Sequence, residues 1–162
     1  SIVSDAGVLL LVGVITLLFI LDALLPLRKK LEGLPPSSLW GNIWGGFAGF
    51  TSFISHTGGP PFQIYVLPQR LPPTVYAGTS AFFFAIVNTS KLIPYFFLGQ
   101  LNVSNLQLSA ALIPPGLVGV LAGVWLVRRI SMKWFYRIAY WLVFLLALKL
   151  VWDGARGVFW GL

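Results

Sequence analysis

Apolar residues run along this chain in long blocks, and the polar residues are sparse enough to serve as markers between them. Ala6–Leu27, Thr74–Leu98, Leu108–Val127 and Trp134–Trp152 each come close to or exceed the ~20 residues that carry a helix through a hydrocarbon layer. A fifth block, Trp40–Leu67, is just as apolar but is broken past its midpoint by Ser55-His56-Thr57-Gly58-Gly59-Pro60-Pro61. Prolines 60 and 61 supply no N–H, and two adjoining glycines loosen the backbone. Lipid offers nothing to the polar groups so freed, so such backbone persists only where protein or a watery cavity receives it. The pattern predicts an all-α polytopic membrane protein, with four transmembrane helices plus one broken segment.

Composition agrees with the pattern. The chain is 57% hydrophobic and 9% charged, with a mean hydropathy of +0.87. The absence of cysteine rules out disulfides, thiolate metal sites and cysteine nucleophiles. One histidine and four acids leave little for a metal cage or a carboxylate pair. No metal site, catalytic residue or cofactor is expected, and no enzyme activity. Ser55 and His56 are adjacent in sequence, and the aspartates lie at or beyond span ends, so no second histidine, cysteine or aspartate is available inside to complete a nucleophile–base pair.

The net charge of +7 reads as topology and not as a nucleic-acid footprint. Most of the basic residues fall at Arg28-Lys29-Lys30, Arg70, Arg128-Arg129, and Lys133 with Arg137, which the positive-inside rule makes cytoplasmic. The uncharged connection Gly99–Gln107 then lies outside. Arg28 and Arg70 thereby share a side although Trp40–Leu67 separates them. An even number of crossings is required, and two would need about 40 residues. The expected solution is a re-entrant hairpin: Trp40–Ile54 climbs, the knot turns, and Phe62–Leu67 returns. The competing solution is one long tilted span, with Arg70 outside.

Several residues carry packing roles. Gly41, Gly45 and Gly49 recur every fourth residue, and Gly119 and Gly123 repeat the device, as stripes where another helix approaches closely. Pro114-Pro115 is expected to open a second break in its helix. Trp134, Tyr136, Tyr140, Trp152 and Trp160 sit near span ends and are expected to be interfacial anchors. Lys149 and Asp153 are spaced to pair along one helix.

Polar residues inside the spans are the candidates for chemistry. Thr79, Ser80, Asn88, Thr89, Ser90 and Lys91 all belong to Thr74–Leu98, and Ser80, Asn88 and Lys91 fall on one helical face. An intramembrane lysine is costly and points to function; the competing account is that Lys91 snorkels to the outer interface. Ser55, His56, Thr57, Gly58 and Gly59 form the broken turn, which could equally be a plain kink holding a satisfied histidine. Asp5, Asp22, Glu32 and Asp153 all lie at or beyond span ends. A cavity lined by loosened N–H groups, hydroxyls, an amide, His56 and Lys91, with no carboxylate near, favours a small anion.

Gly49–Pro61, followed by Tyr65-Val66-Leu67-Pro68, resembles the second signature of the TauE/SafE sulfite exporter family. Ala77-Gly78-Thr79-Ser80-Ala81, Asn88 and Tyr95–Leu101 are similar to the stretch that follows it there, so the resemblance covers about residues 40–130. It implies transport of a small sulfur-containing or organic anion such as sulfite, an organosulfonate or sulfoacetate. It also implies two related halves. This chain carries the second signature alone, so residues 1–27 look like the last helix of a preceding repeat. Residues 40–152 then form one repeat: hairpin 40–67 and helices 74–98, 108–127 and 134–152. Residues 1–162 make a single membrane domain, half of an inverted-repeat transporter bundle, paired with a missing first half or a homo-oligomeric partner.

The sequence therefore predicts a multi-pass protein of the cell inner (plasma) membrane, in contact with the lipid bilayer and a small anionic substrate. Its expected function is secondary transport, as an exporter, through a midplane site at a broken helix. Ser55, His56, Thr57, Gly58, Gly59, Thr79, Ser80, Asn88 and Lys91 are the expected substrate-binding residues. The alternative is a non-transporting membrane scaffold or accessory subunit that pairs with another membrane chain.

Overall fold

The computed structural model describes residues 5–24, 36–99 and 102–159. Arg28, Lys29, Lys30, Glu32, Gln100, Leu101 and Trp160 lie outside the described residues. All elements among the described residues are helical: α1 (Asp5–Leu24), α2 (Ser38–Ser55), α3 (Gly59–Val66), α4 (Pro73–Phe97), α5 (Val103–Arg129) and α6 (Met132–Phe159). A single 3₁₀ turn, Leu67–Gln69, follows α3. Four of these helices, α1, α4, α5 and α6, are long and apolar enough to cross a membrane. This is a polytopic helical membrane protein. The chain divides into two compact units, residues 1–71 with 136–162, and residues 72–135.

In the first unit, α2 and α3 pack against each other and both pack on α1. α2 has 18 residues and α3 has 8, so at 1.5 Å per residue α3 is only about 12 Å long. α3 runs back along α2: the Tyr65 hydroxyl, near its end, donates to the Ser37 carbonyl at the start of α2 (2.9 Å). Gly41 matters here because a Cβ at that position would lie 3.1 Å from the Tyr65 phenol oxygen. The core of this unit gathers Val8 and Val12 of α1 with Leu150 of α6, and Leu9, Phe47 and Ile54 pack against it.

Hydrocarbon is as apolar as leucine, so helices in a membrane associate through close packing more than through apolar burial. α1 and α6 do this with one glycine each. A Cβ on Gly13 would lie 2.7 Å from the Val151 nitrogen, and one on Gly154 would run into the Leu10 backbone. Of the expected glycine stripes, Gly41 does meet a neighbouring helix, at Tyr65 of α3. A Cβ on Gly49, Gly119 or Gly123 would meet nothing within 4 Å, so nothing among the described residues requires a glycine at these three positions.

The return of the hairpin is fastened to α6 by aromatic groups. Arg70, with φ 52°, sets its guanidinium over the rings of Tyr136 (4.9 Å) and Tyr140 (5.6 Å). The Tyr136 hydroxyl donates to the Leu71 carbonyl (2.8 Å), and Tyr140 stacks on Phe19. Tyr136 is 1% exposed. It is a core residue and not the interfacial anchor expected from its place near a span end. Trp134 and Trp152 are exposed.

In the second unit, α4 packs on α5, and Tyr76 meets Phe135 edge-on. α5 corrects two expectations. It begins at Val103 because Asn102 caps it, its side chain accepting from the Asn105 N–H (2.9 Å); Val103–Gln107 therefore belong to the helix and not to the outer connection. It also runs unbroken through Pro114 and Pro115. Those prolines leave the Ala110 and Ala111 carbonyls without their usual donors, which bends a membrane helix more readily than it ends one. α6 likewise continues past Trp152 to Phe159, and Lys149 pairs with Asp153 along it.

Candidate functional site

The site begins with how α2 stops. His56 takes the left-handed conformation (φ 54°, ψ 24°) that usually belongs to glycine, and its N–H bonds back to the Thr51 carbonyl. The Thr57 N–H reaches the same carbonyl (3.3 Å), as does the Thr57 hydroxyl (3.5 Å). Thr51 is fully buried. Its Oγ1 lies 2.9 Å from the Phe47 carbonyl and 3.3 Å from those of Ala48 and Thr57. The Thr51 carbonyl is thus closed by three donors, and Thr51 is a residue sequence reading did not single out.

The amide side is built differently. Gly58 caps α3, and Gly59, Pro60 and Pro61 form its first positions. A helix start normally leaves four N–H groups without intrahelical partners. Two prolines at N2 and N3 remove two of those donors outright, and the Gly58 and Gly59 N–H groups take no backbone acceptor. Fewer donors are left to satisfy at this break, and unpaired donors would cost several kcal/mol each in hydrocarbon. What remains is a pair of adjacent amides at the positive end of a short helix.

The two glycines are not equivalent. A Cβ on Gly58 would sit 2.5 Å from the Ala48 carbonyl oxygen and 2.6 Å from the Ser52 Cβ, so Gly58 is required by the packing of the turn on α2. A Cβ on Gly59 meets nothing within 4 Å. His56 is exposed, and its ring takes no hydrogen bond from the described residues. A left-handed non-glycine residue costs about 1–2 kcal/mol, and nothing in the packing calls for an imidazole there. Ser55 Oγ is buried without a hydrogen-bond partner, as is Oε1 of Gln63 on α3. Gln63 was not legible as a site residue, since a glutamine in an apolar run carries no spacing signal.

Thr79, Ser80, Asn88 and Lys91 lie on α4, in the second unit. Ser80 and Lys91 share the covered face of that helix: Ser80 is half-buried with its hydroxyl on the Tyr76 carbonyl (2.8 Å), and Lys91 is 6% exposed. Asn88 and Thr79 are exposed. The nine residues therefore form two groups, five around the turn in one unit and four along α4 in the other.

Four apolar spans and a helix interrupted by an αL histidine and a Gly-Gly-Pro-Pro start describe a membrane protein with a built break in its bundle. The chain matches the family model described as sulfite exporter TauE/SafE over residues 1–150 and belongs to that family, a family of membrane transporters. The match extends on both sides of the stretch where the resemblance was read. No curated protein and no solved structure matches the chain.

Proposed function

We propose that the protein is a secondary transporter that exports a small anion, such as sulfite, an organosulfonate or sulfoacetate, across the cell inner membrane. The site would be the α2–α3 break, held near the bilayer midplane by a hairpin that does not cross. The carrying observation is the asymmetry of that break. Its Thr51 carbonyl is closed by the His56 and Thr57 N–H groups, whereas the Gly58 and Gly59 N–H groups have no backbone acceptor. Open amides and a helix start attract negative charge. No acid occurs between Glu32 and Asp153 to oppose an anion. On this reading the protein has no catalytic role, and an ion gradient supplies the energy.

Reconstituted vesicles loaded with labelled sulfite should release it when a gradient is imposed. A scaffold would carry no flux, so a flat trace with folded protein rejects the reading. Lys91 supplies a graded test, because its ammonium lies buried on α4. If it neutralises the anion, Lys91→Gln should weaken apparent affinity about tenfold or more, as loss of a ~1.5–3 kcal/mol charged hydrogen bond implies. Unchanged affinity would remove Lys91 from the site. A cysteine at Gln69, on the return limb, should resist an impermeant thiol reagent added outside.

A further inference from the structure

The turn between α5 and α6 collects positive charge that transport does not use. Arg128 and Arg129 end α5, Lys133 opens α6, and only Ile130, Ser131 and Met132 lie between them in sequence. All three cations are exposed. No aspartate or glutamate occurs anywhere from 103 to 152, so neither helix offers them a carboxylate before Asp153. The positive-inside rule asks only for cations on one side; it does not ask for what surrounds these.

Two tryptophans bracket the charges, Trp125 at 57% exposure and Trp134 at 55%. The Arg129 guanidinium is laid over the Trp125 ring at 4.7 Å. That contact holds a planar, multi-donor cation flat at the rim of an apolar helix. Ser131 rigidifies the turn: its Oγ lies 3.5 Å from the Trp134 N–H, and its carbonyl accepts from Phe135 (2.9 Å). Exposed tryptophans settle at headgroup depth, so the guanidinium and its neighbours meet the phosphate layer there.

We infer that the α5–α6 turn is a binding site for the headgroup of an anionic phospholipid, with Arg128, Arg129 and Lys133 as phosphate partners and Trp125 as the platform that aims Arg129. Each basic residue beside a membrane span is drawn to acidic lipid by about 1 kcal/mol, and here an aimed guanidinium adds geometry to that charge. A lipid fits better than a soluble phosphate because the cations lie between two interfacial tryptophans at the ends of spanning helices. The inference is independent of what the α2–α3 break transports.

The test uses the whole chain in mild detergent, with bound lipid counted by native mass spectrometry. Phosphatidylglycerol should be retained at least tenfold over phosphatidylcholine, and the preference should shrink as salt rises. Replacing Arg128, Arg129 and Lys133 together by Gln should abolish it, each charge accounting for about fivefold. Loss of these charges can also disturb insertion, so Trp125→Leu, which keeps every charge, is the second variant; it should lower the preference severalfold in a folded protein. Arg156→Gln, in the last turn of α6, should change nothing. The inference fails if the two lipids are retained alike, if either variant at the turn keeps the wild-type preference, if Arg156→Gln removes it, or if soluble glycerol phosphate displaces the bound lipid.

Discussion

Pro60-Pro61 and Pro114-Pro115 are the same dipeptide in two apolar surroundings, one opening α3 directly after a break and the other lying inside an unbroken α5. The difference comes from their neighbours. Before Pro60 stand His56 in the left-handed region and two glycines, and Gly58 is pressed against the Ala48 carbonyl and Ser52. Before Pro114 stand Ala110, Ala111, Leu112 and Ile113, none of which gives the chain a reason to leave the helix. The burial differs in the same sense. Pro60, Pro61, Phe62 and Val66 of α3 are buried, whereas α5 has no buried residue. A proline pair removes two donors wherever it stands. Whether it ends a helix depends on what else is packed there, and the buried break is the one suited to a site.

The largest expected effect lies at the turn itself. Gly58→Val drives side-chain atoms into the Ala48 carbonyl, and overpacking of this kind costs about 1–3 kcal/mol or more. The variant should lose most of its folded yield in size-exclusion profiles monitored by tryptophan fluorescence. A wild-type profile would mean that the turn does not press on α2.

Next comes a pair of substitutions expected to have opposite signs. Pro60→Ala restores an N–H where α3 has no acceptor for it and should destabilise by about 1–3 kcal/mol. Pro114→Ala restores a donor whose acceptor, the Ala110 carbonyl, is waiting in α5. It should raise the melting temperature or leave it unchanged. Thermal unfolding of the two variants in one detergent decides the matter, and a shared sign would erase the contrast between the two pairs.

How much of this was legible in the sequence follows from what each residue depends on. The spans were readable because length and hydropathy decide them, and the break was readable because His56-Thr57-Gly58-Gly59-Pro60-Pro61 stacks several independent reasons against a helix. The continuity of α5 was misread, because a proline pair was given the same weight in both places without regard to the residues before it. Tyr136 was misread because position near a span end does not separate an interfacial ring from one that Arg70 and Leu71 bury. Gly13 and Gly154 went unnoticed, as isolated glycines far apart in sequence have no spacing to betray that α1 and α6 meet there. Thr51 and Gln63 matter only through the path of the chain around the turn, which no local pattern records.

A smaller effect is expected where the hairpin is fastened to α6. Tyr136→Phe removes the hydrogen bond to the Leu71 carbonyl and should cost about 0.5–1.5 kcal/mol, read as a modest drop in melting temperature. No drop would mean that the contact contributes nothing to holding the return limb.

The central claim is that the open amides of the break face the transported anion, and Gly59 tests it most directly because a Cβ there meets no atom within 4 Å beyond its chain neighbours. Gly59→Val crowds the Pro60 ring and should lower the melting temperature modestly, yet the fraction with a wild-type size-exclusion profile should lose sulfite flux in vesicles by tenfold or more. A folded Gly59→Val protein that transports sulfite at the wild-type rate would contradict the claim and leave the break a structural kink.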